Sequence, residues 1–110
     1  MLEALWSVEF SSNLQIFGAG VVIFETNRVF GGDGQYYYLG SYEVKNGVME
    51  AELEITHYSG EPYSIFGTVK NFKIMISGKL GEPVIEAQGY LVDAPDKIIL
   101  LKLTKRAELP

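Results

Sequence analysis

Alternation with a period of two residues constrains this chain more than any other feature. Apolar and polar residues exchange places in short runs, while apolar spacing of three and four is nearly absent. Successive strand residues point to opposite faces, whereas a helix returns to one face every 3.6 residues. The pattern therefore predicts strands with one face in a core and one in solvent. Trp6, Val8 and Phe10 alternate with Ser7, Glu9 and Ser11. Residues 15–25 form a second run, rich in Val and Ile, in which Gly18 and Gly20 suggest a bend or a close approach. Tyr36, Tyr38, Gly40 and Tyr42 alternate with Tyr37, Leu39, Ser41 and Glu43. Met49, Ala51, Leu53, Ile55 and His57 alternate with Glu50, Glu52, Glu54 and Thr56, which gives that strand an acidic outer face. Strand-like runs over 68–78, 84–92 and 97–105 complete the chain.

The breaks between runs have turn chemistry. Asn46-Gly47 is the strongest hairpin signal, because a type I′ turn needs positive φ at both central residues. Thr26-Asn27 is a second tight turn, leading into Arg28-Val29-Phe30. Gly31-Gly32-Asp33-Gly34 reads as a bulged turn in which glycines supply positive φ and Asp33 bonds nearby backbone amides. Residues 58–67 form a connection in which Pro62 is placed to start one short helical turn. Gly81-Glu82-Pro83 and Ala94-Pro95-Asp96 punctuate the last strands.

Eight strands with short connections and no crossover helices must pair antiparallel. An open sheet of that size leaves two bare edges, and closure removes them. The expected fold is therefore all-β, an eight-stranded antiparallel up-and-down barrel with little or no helix, formed by residues 1–110 as one domain. A β-sandwich is the alternative.

Composition narrows the function. No cysteine is present, which fits a reducing compartment and removes thiolate metal sites. The first residues show no basic leader or sustained apolar run, so a cytoplasmic location is expected, with no membrane association. The net charge of −5 argues against nucleic acid, whose phosphates need Lys and Arg, and favours a basic protein partner. Residues 1–55 hold eight acidic side chains against two basic ones, and residues 56–110 hold six against seven. Such asymmetry polarises a small domain.

Catalytic chemistry is not legible. His57, the only histidine, lies in phase with the apolar face of its strand and reads as a buried or strand-end residue. One histidine without cysteine cannot build a zinc site, and Asp33-Gly34 alone is too little for calcium. No nucleophile, base and orienting group can be assembled, so no enzyme, cofactor or metal is expected. Tyr37 and Leu39 fall on the outer face of their strand, where a second subunit would cover them. The last strand is apolar on both faces, and Ile99, Leu101 and Leu103 are expected to join the same homodimer interface, as are Val84, Tyr90 and Val92.

Three segments carry a resemblance. Leu5-Trp6-Ser7-Val8-Glu9-Phe10, then Gly31-Gly32-Asp33-Gly34-Gln35-Tyr36-Tyr37-Tyr38-Leu39-Gly40-Ser41-Tyr42, and then Ser64-Ile65-Phe66-Gly67 resemble, in order and spacing, the GrlR-like family of small regulators of type III secretion. The resemblance implies a calycin-type β-barrel, usually dimeric, that represses by binding a helix-turn-helix transcriptional activator and not DNA. It also implies an N-terminal Trp packed under a basic side chain of the last strand, here Trp6 under Arg106, with Lys105 the alternate. The best-known member meets its activator through a contiguous acidic stretch. This chain has none, and Glu50, Glu52 and Glu54 are its nearest analogue, about 7 Å apart along one strand face. The leading expectation is a regulatory protein-binding domain. The alternative is a carrier of a small apolar ligand, against which the large inward residues Phe10, Phe24, Phe72 and Tyr38 argue by filling the interior.

Overall fold

The alternating runs become eight strands in a computed structural model that describes residues 2–110. They are β1 (Ala4–Ser12), β2 (Phe17–Glu25), β3 (Arg28–Gly32), β4 (Tyr36–Lys45), β5 (Val48–His57), β6 (Asn71–Lys79), β7 (Val84–Leu91) and β8 (Ala94–Ala107). Each pairs antiparallel with the next, and β8 returns to β1, so the sheet closes in simple up-and-down order. Among the described residues there is no helix. The closing seam sets Val8 opposite Leu103, Phe10 opposite Leu101 and Ser12 opposite Ile99.

Burial follows the alternation. On β5, Met49, Ala51, Leu53 and Ile55 are buried while Glu50, Glu52 and Glu54 are exposed. On β4, Tyr36, Tyr38 and Tyr42 point inward, and Tyr37 and Leu39 point out. Both tight turns have the expected conformation, with positive φ at Thr26 and Asn27 and at Asn46 and Gly47.

Three local expectations are corrected. Pro62 starts no helical turn; the segment folds around an isolated bridge between Ser64 and Gly67. Ala94 already belongs to β8, so the β7–β8 turn lies at Val92 and Asp93. Gly31, Gly32 and Gly34 do not take positive φ. Gly31 is needed for space instead: a Cβ there would lie 1.9 Å from the carbonyl oxygen of Val21. Gly40 and Gly89 meet the carbonyls of Glu52 and Met75 at the same 1.9 Å. These are places where a narrow closed sheet coils too sharply for a side chain.

The strand directions gather the Thr26–Asn27, Asn46–Gly47 and 80–83 connections at one end of the barrel. Aromatic packing seals that end. Trp6 is fully buried and meets Phe24 edge-on at 6.4 Å, and Phe24 meets Tyr42 edge-on at 5.1 Å. Each such pair contributes about 0.5–1.5 kcal/mol beyond burial. The indole Nε1 donates to the carbonyl of Leu2 at 2.9 Å, so no polar atom of the ring is stranded. The expected cover by Arg106 is not formed. Arg106 lies outside, where its Nε donates to Ser7 Oγ at 2.8 Å. Lys105 is the residue opposite Trp6, and its Nζ pairs with Glu82 at 2.8 Å and Glu108 at 2.7 Å.

Candidate functional site

The barrel interior is not filled. A cavity of about 360 Å³ runs from the middle of the barrel to the end opposite Trp6, with Phe24 on its floor and Phe10, Ile76 and Leu101 among its walls. Glycines recur in the inward phase around it. Register places Gly18 and Gly20 of β2 beside the inward Phe10 and Val8, and Gly31, Gly40, Gly78 and Gly89 are inward on their own strands. Six inward positions thus carry no side chain. Two of these gaps are taken by neighbours: a Cβ on Gly18 would meet the Phe10 ring at 2.4 Å, and one on Gly20 would meet the Tyr38 hydroxyl at 2.6 Å. At Gly31, Gly40, Gly78 and Gly89 the neighbouring strand's backbone takes the space, at 1.9, 1.9, 2.9 and 1.9 Å from where a Cβ would stand, and none of these four lines the cavity.

Polar groups gather at the mouth. Asp33 Oδ1 accepts from the amides of Gln35 and Tyr36, each at 2.8 Å, and the Asp33 amide donates to Tyr36 O at 2.9 Å. The expected local role of Asp33 is therefore present. Its Oδ2 accepts the hydroxyl of Tyr38, a bond the sequence did not announce. Burial first, and then this bond to a carboxylate, push the Tyr38 phenol far above the ordinary tyrosine range. Burial also raises Tyr36 and Tyr42.

A plug lies across part of this end. Ile65 and Phe66 are buried, and Phe66 meets Phe72 edge-on at 5.7 Å. Ser64 holds the turn by accepting from the Phe66 amide at 3.0 Å and donating to Gly67 O at 3.0 Å. Ser12 Oγ donates to Ile65 O at 2.6 Å, Tyr36 Oη to Val69 O at 2.6 Å and Tyr58 Oη to Asp33 O at 2.6 Å. The plug is thereby tied to three separate parts of the rim. His57 stands at its strand end with Nε2 2.7 Å from Gly60 O.

The outer surface separates the remaining expected residues. Glu50, Glu52 and Glu54 form one exposed row on β5. Glu50 stands opposite Glu43, which pairs with Lys45 at 3.7 Å, whereas Glu54 stands opposite Lys73. Leu39 is the other neighbour of Glu54, which joins the acidic row to the exposed pair Tyr37 and Leu39. Ile99, Leu101 and Leu103 are not on this surface. They are buried at 4, 9 and 1% exposure, inside the barrel, and cannot belong to an interface. The outer residues of β8 include Ile98, Leu100 and Lys102. With both faces apolar, alternation alone could not assign the phase of β8; its pairing with Val8 and Phe10 does. Val84, Tyr90 and Val92 are exposed, as expected. No protein-family model matches the chain, and no match is found among curated proteins.

Proposed function

We propose that this barrel binds one small, largely apolar molecule in its interior. The observation that carries the reading is the cavity of about 360 Å³, open at one end and closed by Phe24 at the other. Ligand sites are typically concave, mostly apolar and marked by a few polar groups at fixed places, and this one has Tyr38 and Asp33 at its mouth. The inner walls are apolar, so water there finds few partners and an apolar guest gains contacts by displacing it. Native mass spectrometry of the gently purified protein tests this, together with displacement of a fluorescent apolar probe. Narrowing the cavity with Val22→Phe is expected to abolish probe binding while the fold persists. Equal binding by that variant would remove the support.

The acidic row favours a second reading on a different surface. Glu50 and Glu52, with Glu43 beside them, present like charge that a basic partner would neutralise. In line with the GrlR-like resemblance, the partner would be a helix-turn-helix activator, the setting cytoplasmic, and the working form a homodimer joined through Tyr37 and Leu39. Replacing Glu50, Glu52 and Glu54 by Lys is expected to abolish capture of such a partner in a pull-down and leave probe binding intact. Capture at the original level would exclude this row as the contact.

A further inference from the structure

We infer that the cavity selects amphiphiles whose head group donates hydrogen bonds and is neutral or cationic, such as an aliphatic alcohol or amine, and rejects fatty carboxylates. The inference rests on the interior-binding reading and names its ligand class. Among the described residues, no Lys, Arg or His lines the cavity, and its only ionisable carboxyl belongs to Asp33. All three side-chain hydrogen bonds to Asp33 are accepted ones, from two amides and the Tyr38 hydroxyl, which is the pattern of a carboxylate. Tyr38 has committed its proton to Asp33, so toward the cavity it offers only lone pairs. At the Tyr38–Asp33 pair a head group meets acceptors and a negative charge, and the other polar side chains that line the cavity, Gln35, Tyr36, Tyr63 and Ser64, are neutral.

A bound fatty carboxylate would lose its hydration at the mouth, find no cation, and face Asp33. An alcohol can donate to the Tyr38 oxygen. An ammonium can do the same and is also attracted by the Asp33 charge. Size sets the chain length. At roughly 30 Å³ per water-sized group, the cavity accepts on the order of a dozen non-hydrogen atoms. Ten-carbon chains fit that limit.

The test is a matched series of 1-decanol, decylamine and decanoate, measured by displacement of an apolar fluorophore and by calorimetry at neutral pH and 0.15 M salt, below micelle formation. Decanol and decylamine are expected to bind, decylamine at least as tightly, with decanoate at least tenfold weaker than decanol. Asp33→Asn keeps an oxygen for the two turn amides and removes the charge. It should erase the advantage of the amine over the alcohol and narrow the decanoate gap severalfold. Decanoate binding within twofold of decanol to the unaltered protein would overturn the inference while leaving interior binding in place. Unchanged ratios in Asp33→Asn would also overturn it. Failure of all three probes would instead remove the interior-binding reading, and the inference with it. The comparison on the unaltered protein stands even if the variant folds poorly, and Tyr38→Phe adds a second check, since losing the acceptor should weaken decanol and leave decanoate excluded.

Discussion

The hydroxyl of Tyr38, on an inward position of β4, donates to the carboxylate of Asp33, which the β3–β4 turn holds at the barrel mouth. Gly20 on β2 leaves the space in which that hydroxyl sits. Three segments therefore meet at one hydrogen bond: a glycine with no side chain, a tyrosine that fills the gap, and a turn aspartate that accepts the hydroxyl's hydrogen bond.

This bond gives the protein a defined alkaline weakness. Burial and the Asp33 bond raise the folded-state pKa of Tyr38 above its unfolded value of about 10. Below that value both states keep the proton, and Tyr38 contributes no pH dependence. Above it the unfolded chain releases the proton and the folded one retains it, so stability falls as pH rises. The loss approaches about 1.4 kcal/mol per pH unit for one such group. Urea midpoints at pH 8, 9, 10 and 11 check this. The curve should bend downward only past about pH 10, and Tyr38→Phe should make the fall shallower by one proton. Tyr36 and Tyr42, raised in the same direction, keep a residual slope in that variant.

Glycine substitutions distinguish space from conformation. Gly31→Ala would place its Cβ 1.9 Å from Val21 O, against backbone that cannot move alone. Overpacking of that kind costs roughly 1–3 kcal/mol and often more. Gly34→Ala, three residues on, has nothing within 4 Å of the new Cβ and no positive φ. It should leave stability within about 0.5 kcal/mol of the starting protein. Chemical denaturation of the two variants side by side decides the matter, and equal losses would show that the glycines serve turn conformation after all.

The sealed end makes a similar contrast between Trp6 and Arg106. Trp6→Ala removes a fully buried ring with its Phe24 contact, and such truncations cost about 3–5 kcal/mol. Arg106→Ala removes an exposed bond to Ser7 and should cost less than about 1 kcal/mol. Because no guanidinium covers the indole, the Trp6 emission maximum should be unchanged in Arg106→Ala. A red shift would indicate that the cation shields the ring.

Much of the fold was legible because burial and alternation are the same fact in a half-buried strand. The acidic face of β5 and the inward Tyr36, Tyr38 and Tyr42 follow from a clean period of two, and the tight turns at Thr26-Asn27 and Asn46-Gly47 from the residues that break it. What escaped has physical causes too. The cavity escaped because alternation says that Phe10, Phe24 and Phe72 point inward but not how much of the barrel's width they leave unfilled. The Tyr38–Asp33 bond escaped although the two residues are only five apart, because alternation aims Tyr38 inward without giving the path of the β3–β4 turn that brings Asp33 over it. The role of Ser64-Ile65-Phe66-Gly67 as a plug escaped because it is held at the barrel end by Ser12, which is remote in sequence.

The phase of β8 is the place where alternation was least informative, and it yields a decisive test. Leu103 is 1% exposed inside the barrel, whereas Leu100, on the same strand, is 55% exposed. Leu103→Ala should cost about 2–5 kcal/mol, because the cavity beside it already prevents its neighbours from closing the gap. Leu100→Lys adds a charge on a solvated face opposite Gln88 and Ser11, and should change monomer stability by no more than about 0.5 kcal/mol. Urea unfolding of both variants measures the difference. Light scattering on Leu100→Lys then has a clear meaning: a shift toward a smaller particle would place Leu100 in a self-association surface, since the folded unit itself is unaltered. Were Leu103→Ala to be the harmless change and Leu100→Lys the damaging one, the inward and outward faces of β8 would have to be exchanged, and with them its pairing to β1.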